Sequence, residues 1–420
     1  MRAVVVALGK IGLPVAAQLA HAGHDVVGCD ISAHVVAEVN AGRSPFPGEP
    51  GLDERLAAAV AAGRLRAQTD TAAAVAEAPD LVIAVPPLMV DADAQIDWAI
   101  LDAVLADIGR GLRAGTTVSV ETTLPVGTTR GRIAPALAAA SGLTAEQDFF
   151  TVFSPERVFS GRVFADLATY PKLVGGLSAS GEQRGIELYG SFLDAEVRGL
   201  GSAEAAELVK LAETTYRDIN IGFANELARF ADTVGVDVEQ VIDAANSQPF
   251  SHIHRPGIAV GGHCIPVYPR FYLAGDPAAR LPAAARAVND AMPAYAVERL
   301  AAHAGDLRGR RVLILGVAYR GGVKETAFSG AFGVRDELER RGAEPLASDP
   351  LYADDELRAL GFTPWDGAPV DAAVVQADHA EYAALDHAAI GGAATVLDGR
   401  GILDAGALRA AGVTVLALGR

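Results

Sequence analysis

The apolar positions of the chain follow two rhythms. Short runs rich in branched residues, at 3–7, 25–29, 81–85, 117–120 and 150–153, are separated by stretches of helix length. The first thirty residues show the unit most plainly: strand 3–7, an Ala- and Leu-rich segment 13–22 of helical character that Gly23 stops, and a second strand 25–29. Continuously apolar strands with helices between them predict a parallel sheet covered on both faces. From Ser202 the texture changes. Residues 202–234 contain almost no Gly or Pro and set Leu208, Leu211, Tyr216, Ile219, Phe223, Leu227 and Phe230 at helical spacing, which predicts one long helix. The interval 248–275 is rich in Pro, Gly and His. Helical character returns over 281–303, with Gly305 as the stop. A second strand-turn-helix unit opens at 311–316, and later strands are predicted at 372–375 and 394–397. The expected fold is α/β: two Rossmann-like, doubly wound parallel-sheet domains joined by a helical middle domain with a long central helix.

Three places carry chemistry. The turn Ala7-Leu8-Gly9-Lys10-Ile11-Gly12 closes a strand and opens a helix, and Asp30 ends the next strand. Glycines there let backbone N–H groups approach a pyrophosphate, and an acidic residue about 20 positions on accepts from ribose hydroxyls. Asp30 repels a 2′-phosphate, which favours NAD over NADP. Ala7 stands where the fingerprint has its first glycine. The second place is Gly261-Gly262-His263-Cys264-Ile265-Pro266, where glycines and prolines build a pocket rim around a cysteine. Cys29, inside a strand, reads instead as a small buried hydrophobe. His263 reads as structural, and His252 and His254 as loop residues; no metal-ligand spacing is present. The third place is the long helix, where Lys210 lies in the apolar run 208–212 and shares a face with Thr214 one turn on.

Composition narrows the choice. The chain has 420 residues, half of them hydrophobic, and 35 Lys and Arg against 52 Asp and Glu give a net charge of −17. So acidic a surface repels nucleic acid, and a phosphate site must be local. No apolar stretch reaches membrane-spanning length, no secretory leader is expected because Gly9, Lys10, Gly12 and Pro14 interrupt the apolar start, and two cysteines make no disulfide framework. The expectation is a soluble, cytoplasmic protein with no membrane partner.

The motifs ALGKIGLPVA, VVGCDIS, NAGRSPF, GLDERL, IAVP, ETTLPVGTTR, SPERV, KLVGG, AELVKLAETTYRDINIGFANELA, GGHCIPV, GVAYRGG and VLDGRGILD follow one another in order. In this the chain resembles the nucleotide-sugar 6-dehydrogenases, the family of UDP-glucose and GDP-mannose dehydrogenases, over essentially its whole length. The form GGHCIPV is most similar to the branch acting on UDP-N-acetylhexosamines. The resemblance implies a four-electron oxidation of a sugar alcohol to a carboxylate, two NAD being reduced, to give a uronic acid of the kind used in polysaccharide biosynthesis. It implies that Cys264 is the nucleophile, that Lys210 stabilises oxyanion character, that Glu156 handles protons, and that Thr123 orders water near the nicotinamide. It places Gly9, Lys10, Ile11, Gly12, Asp30, Pro86, Thr123 and Lys324 on the cofactor. It places Glu156, Lys210 and Arg320 on the substrate; Gly261, Arg255 and Arg400 are expected there too, with Arg255, Arg320, Arg400 and Lys324 making a local basic pocket for a diphosphate. Thr214 and Tyr268 stand where most members have Asn and Asp, which bears on hydrolysis of the thioester.

The domains expected are 1–195 for NAD, 196–300 as a helical middle carrying Lys210 and Cys264 and forming a homodimer, and 301–420 for the nucleotide sugar. The site is expected in the cleft at the carboxyl ends of the strands. Two other readings stay open: a two-electron alcohol or hydroxyacid dehydrogenase, and a non-catalytic binder of NAD or nucleotide sugar.

Overall fold

The computed structural model describes residues 1–90, 95–159 and 161–420. Contacts divide the chain into two units, Met1–Glu213 and Thr214–Arg420, the division falling within the helix Ala203–Val234.

The first unit is built on an eight-stranded sheet. In spatial order its strands are Val197–Gly199, Lys172–Gly176, Phe150–Phe153, Thr117–Val120, Leu81–Ala84, Arg2–Val6, Asp25–Cys29 and Leu65–Gln68. The central strands are buried on both faces, as their unbroken Val, Ile and Leu content requires. Helix Gly12–His21 packs Leu13, Val15, Ala16 and Leu19 into that core. The sheet is parallel except for one pair, since Lys172–Gly176 runs antiparallel to Phe150–Phe153 with Phe153 opposite Gly175. An antiparallel return needs no crossover, so the intervening residues stay near the carboxyl edge of the sheet. Extending that register sets Lys172 level with Glu156.

The second unit holds a five-stranded parallel sheet in the order Glu344–Ser348, Arg311–Leu315, Ala372–Val375, Thr395–Asp398, Thr414–Ala417. Ahead of it come helices Val238–Asn246, Tyr268–Gly275, Arg280–Asp290 and Met292–Ala304. The single helix expected over 281–303 is two, because Pro293 lacks an N–H and is tolerated only in the first turn of a new helix. Likewise Pro269 opens helix Tyr268–Gly275 inside the Pro- and Gly-rich interval. Buried Asp218 binds the Arg286 guanidinium with both oxygens, Asn289 donates to Asp218 and accepts from Asn225, and Asn225 accepts from Gly257 N–H at 2.9 Å. This chain of polar contacts fastens the start of the cysteine-bearing loop to the long helix. Among the described residues no helix is long and apolar enough to cross a membrane.

Candidate active site

The residues expected to bind the dinucleotide lie along one edge of the first sheet. Asp30 follows Asp25–Cys29, Gly9 to Gly12 follow Arg2–Val6, Pro86 follows Leu81–Ala84, Thr123 follows Thr117–Val120, and Glu156 follows Phe150–Phe153. These five strands are neighbours, so their carboxyl ends present the residues in that spatial order. The strand order reverses between Arg2–Val6 and Leu81–Ala84, and at such a switch point a crevice opens for a ligand.

The turn itself has the shape a pyrophosphate needs. A Cβ on Gly12 would lie 2.0 Å from the Ala7 carbonyl oxygen, so only glycine lets the helix start this close to the strand end. Ala7 adopts φ +72°, a left-handed conformation that glycine would hold at lower cost. Asp30 is half-buried, accepting from Leu8 N–H and Ser32 N–H at 2.9 Å each, one bond to each oxygen. Each oxygen keeps a lone pair for a ribose hydroxyl. Lys10 is exposed and Ile11 half-buried. The Pro86 carbonyl accepts from the Thr122 hydroxyl at 2.5 Å, which ties the two loops following neighbouring strands, and Thr123 is buried beside it in sequence.

Glu156 sits deeper. Its Oε1 accepts from Arg157 N–H at 2.6 Å and Val158 N–H at 3.0 Å, and its Oε2 accepts from Lys172 Nζ at 3.0 Å. Burial acts to raise its pKa, but the Lys172 charge and the two backbone donors outweigh this and hold the carboxyl below the usual range. Lys210 Nζ donates to the Glu156 backbone carbonyl, which brings these two residues together. That reading did not single out Lys172, Glu121 or Glu207. Glu207, one turn before Lys210, accepts from Gly127 N–H (2.6 Å) and from the N–H and hydroxyl of Thr129 (2.8 and 2.6 Å), anchoring the ETTLPVGTTR loop on the helix. Charged residues inside the quoted motifs were the available signal: a Lys opening the strand KLVGG has no reason to be buried unless it meets carboxylates.

In the second unit Cys264 is exposed, whereas Cys29 is fully buried with its thiol pushed up by desolvation to about 12. The turn before Cys264 is pressed flat against the loop that follows Arg311–Leu315. A Cβ on Gly261 would lie 2.5 Å from the Tyr319 Cβ, Gly262 has φ +90°, and Gly262 N–H donates to the Ala327 carbonyl at 2.7 Å. The His263 ring lies 3.2 Å from the Glu325 carboxylate, a structural contact. Arg400 follows Thr395–Asp398; its guanidinium donates to the carbonyls of Gln376 (2.7 Å) and Tyr319 (3.3 Å) and comes against Gly257. Burial lowers its pKa, and no ion pair to a carboxylate is seen for it among the described residues. Arg320 is exposed with its charge 5.9 Å from the Tyr319 ring centroid. Two expected members are engaged elsewhere: Lys324 pairs with Glu356 at 2.6 Å, and Arg255 with Asp243. Thr214 is buried, and Tyr268 opens helix Tyr268–Gly275 with its ring 5.6 Å from Phe271.

Three sequence profiles match the chain in succession: the NAD binding domain of the UDP-glucose/GDP-mannose dehydrogenase family over residues 1–193, its central domain over 204–291, and its UDP binding domain over 313–405. The chain belongs to that family. It is therefore an NAD-dependent oxidoreductase of nucleotide sugars. Among its relatives, a UDP-N-acetyl-D-mannosamine dehydrogenase of Pyrococcus horikoshii is 34% identical over 413 residues, covering 96% of each chain. An NDP-N-acetyl-D-galactosaminuronic acid dehydrogenase of Ralstonia solanacearum is 34% identical over 401 residues, 91% of this chain and 92% of the relative. A solved structure of the Pyrococcus horikoshii UDP-D-ManNAc dehydrogenase superposes with a TM-score of 0.89 at 31% identity, covering 100% of this chain and 99% of the other. Membership fixes the dinucleotide as NAD, and the Gly12 approach and the half-open Asp30 carboxylate fit it.

Proposed function

We propose that this member of the family oxidises a UDP-N-acetylhexosamine at carbon 6, alcohol to carboxylate, through a covalent intermediate on Cys264. The observation that carries the reading is the contrast between the two cysteines, one desolvated in a strand and one exposed on a turn that two glycines lock in place. The relatives' names supply the substrate class.

NAD, which the Gly9 to Gly12 turn and Asp30 would hold, would supply the hydride acceptor for each of the two oxidations. The Lys210 ammonium steadies the alkoxide while Glu156, through water, takes the hydroxyl proton. The Cys264 thiolate then adds to the aldehyde carbon, giving a thiohemiacetal whose oxyanion draws on Lys210 and on the Thr214 hydroxyl. Loss of the second hydride leaves a thioester. Glu156 activates a water, held by Thr123, that cleaves the carbon–sulfur bond and returns the thiolate. The balance is one sugar alcohol, two NAD and one water giving one carboxylate, two NADH and three protons. Tyr268, with a reference pKa near 10, is no carboxylate base, so hydrolysis falls to Glu156. Arg400 and Arg320 neutralise the diphosphate. A role for Gly261 is backbone approach, whereas Arg255 and Lys324, neutralised by Asp243 and Glu356, would have to leave those carboxylates to reach a ligand.

In this reading the chain is cytoplasmic and also acts as a homodimer, the pairing being supported by Tyr216, Phe223 and Phe230, which recur every seven residues, all exposed, on helix Ala203–Val234. Light scattering at micromolar concentration tests this, a monomer contradicting it. The activity is tested by offering a panel of nucleotide sugars with NAD and weighing the product. An acid from a UDP-N-acetylhexosamine supports the reading; an aldehyde, or turnover of other sugars alone, overturns it.

A further inference from the structure

Behind Glu156 lies a buried set of groups that the reaction as derived does not use. Lys172 Nζ stands 3.0 Å from Glu156 Oε2 and 3.1 Å from Glu121 Oε1, so one ammonium serves two carboxylates. The Tyr189 hydroxyl donates to Glu121 Oε1 at 2.5 Å and lies 2.8 Å from the Ser119 hydroxyl. Glu121 Oε2 is buried with no hydrogen-bond partner among the described residues. The elements packed around the set bring few other charges: Arg157, paired with Glu213; Asp166, paired with Arg162; and Lys210 on the Glu156 carbonyl. The cavity beside Glu156 and Lys172 has a volume of about 10 Å³, and their side chains are only 9% and 6% exposed, so solvent screens them weakly.

Two carboxylates and one ammonium in a dry site cannot all stay charged without a net buried charge. The carboxylate with two backbone donors is Glu156; the one with an unpartnered oxygen is Glu121. We propose that Lys172 and Glu121 are positioning residues for Glu156: the shared ammonium keeps Glu156 ionised and aimed, and Glu121 is the member that gains and loses the proton. Desolvation, opposed by Lys172 and reinforced by Glu156, pushes the Glu121 carboxyl up to about 7. Ionisation of Glu121 then draws Lys172 away from Glu156 and makes Glu156 the stronger base. The inference rests on Glu156 being the proton-handling residue.

The test compares wild type with Glu121→Gln, Lys172→Arg, Lys172→Met and Glu156→Gln, following kcat from pH 5 to 9 with NAD and UDP-N-acetylmannosamine, corrected for folded fraction. Infrared spectra of the full-length wild type and Glu121→Gln proteins supply a readout independent of turnover. The ratio of wild-type to Glu121→Gln kcat is expected to rise in a single step centred near pH 7. Lys172→Met should move the acid limb up by about one pH unit or more, with Lys172→Arg restoring it. A protonated-carboxyl band that fades across the same step should be missing from Glu121→Gln. A ratio flat with pH, or a band unchanged by the substitution, overturns the proposal even if Lys172→Met fails to fold. Full activity in Glu156→Gln sinks the reading of Glu156 itself, whereas an inactive Glu156→Gln with a flat ratio sinks only the role of Glu121 and Lys172.

Discussion

The two α/β units place an aspartate at the same topological position and treat it in opposite ways. Asp30 ends the second strand of the first unit, half-buried, with one backbone donor on each oxygen. Asp349 ends strand Glu344–Ser348 of the second unit, is buried, and accepts from Val317 N–H, Ala318 N–H, Leu351 N–H and the His379 ring at 2.8 to 3.2 Å. The turns they support differ too. In the first unit the helix starts at Gly12, six residues after the strand ends at Val6; in the second, residues 316–329 intervene before helix Gly330–Arg340. One aspartate keeps lone pairs free of backbone donors, which in the proposed reading go to a ribose, while the other holds a long loop on which the cysteine turn rests. The same strand-turn-helix plan thus serves a dinucleotide in one copy and loop architecture in the other.

The largest effect that would break this comparison is on stability. Asp349→Ala orphans several buried donors and should cost about 4 kcal/mol, read as a drop in thermal midpoint, with the KM for NAD nearly unchanged in whatever folds. Asp30→Ala should do the reverse, raising the KM for NAD about ten- to a hundredfold while the midpoint moves little. Swapped outcomes would refute the division of labour. Gly12→Ala, whose Cβ would meet the Ala7 carbonyl, should raise the KM for NAD about tenfold or more and lower the midpoint as well. The smallest effect sharpens the picture of the turn: Ala7→Gly relieves the positive φ and should add about 1 kcal/mol, or about 2–4 °C, without changing turnover. Linkage offers a further check on the buried set. A folded-state pKa raised above the unfolded one stabilises below the unfolded value and loses that stabilisation as pH rises through the folded value. The midpoint of wild type relative to Glu121→Gln should therefore fall between about pH 4.5 and pH 7.

Much of this was legible in the sequence where chemistry and local geometry coincide. The turn at Gly9 to Gly12, Asp30 at a strand end, and the long helix, expected over 202–234 and found as Ala203–Val234, all follow from short-range pattern. Cys264 was legible because glycines and prolines around a thiol leave little to bury it. Long-range pairing was not. No periodicity announces that Lys172–Gly176 runs antiparallel, and only that direction brings Lys172 level with Glu156 and beside Glu121. The basic residues taken for a phosphate pocket divide for the same reason: Arg400 is held by backbone carbonyls, while Lys324 and Arg255 find Glu356 and Asp243 from distant parts of the chain.

The covalent route through Cys264 is tested most directly by counting NADH per UDP-N-acetylmannosamine consumed, for wild type and Cys264→Ala side by side. Two for wild type, and at most one for the variant with an aldehyde-level product, is the expected result. Two from both proteins would contradict it.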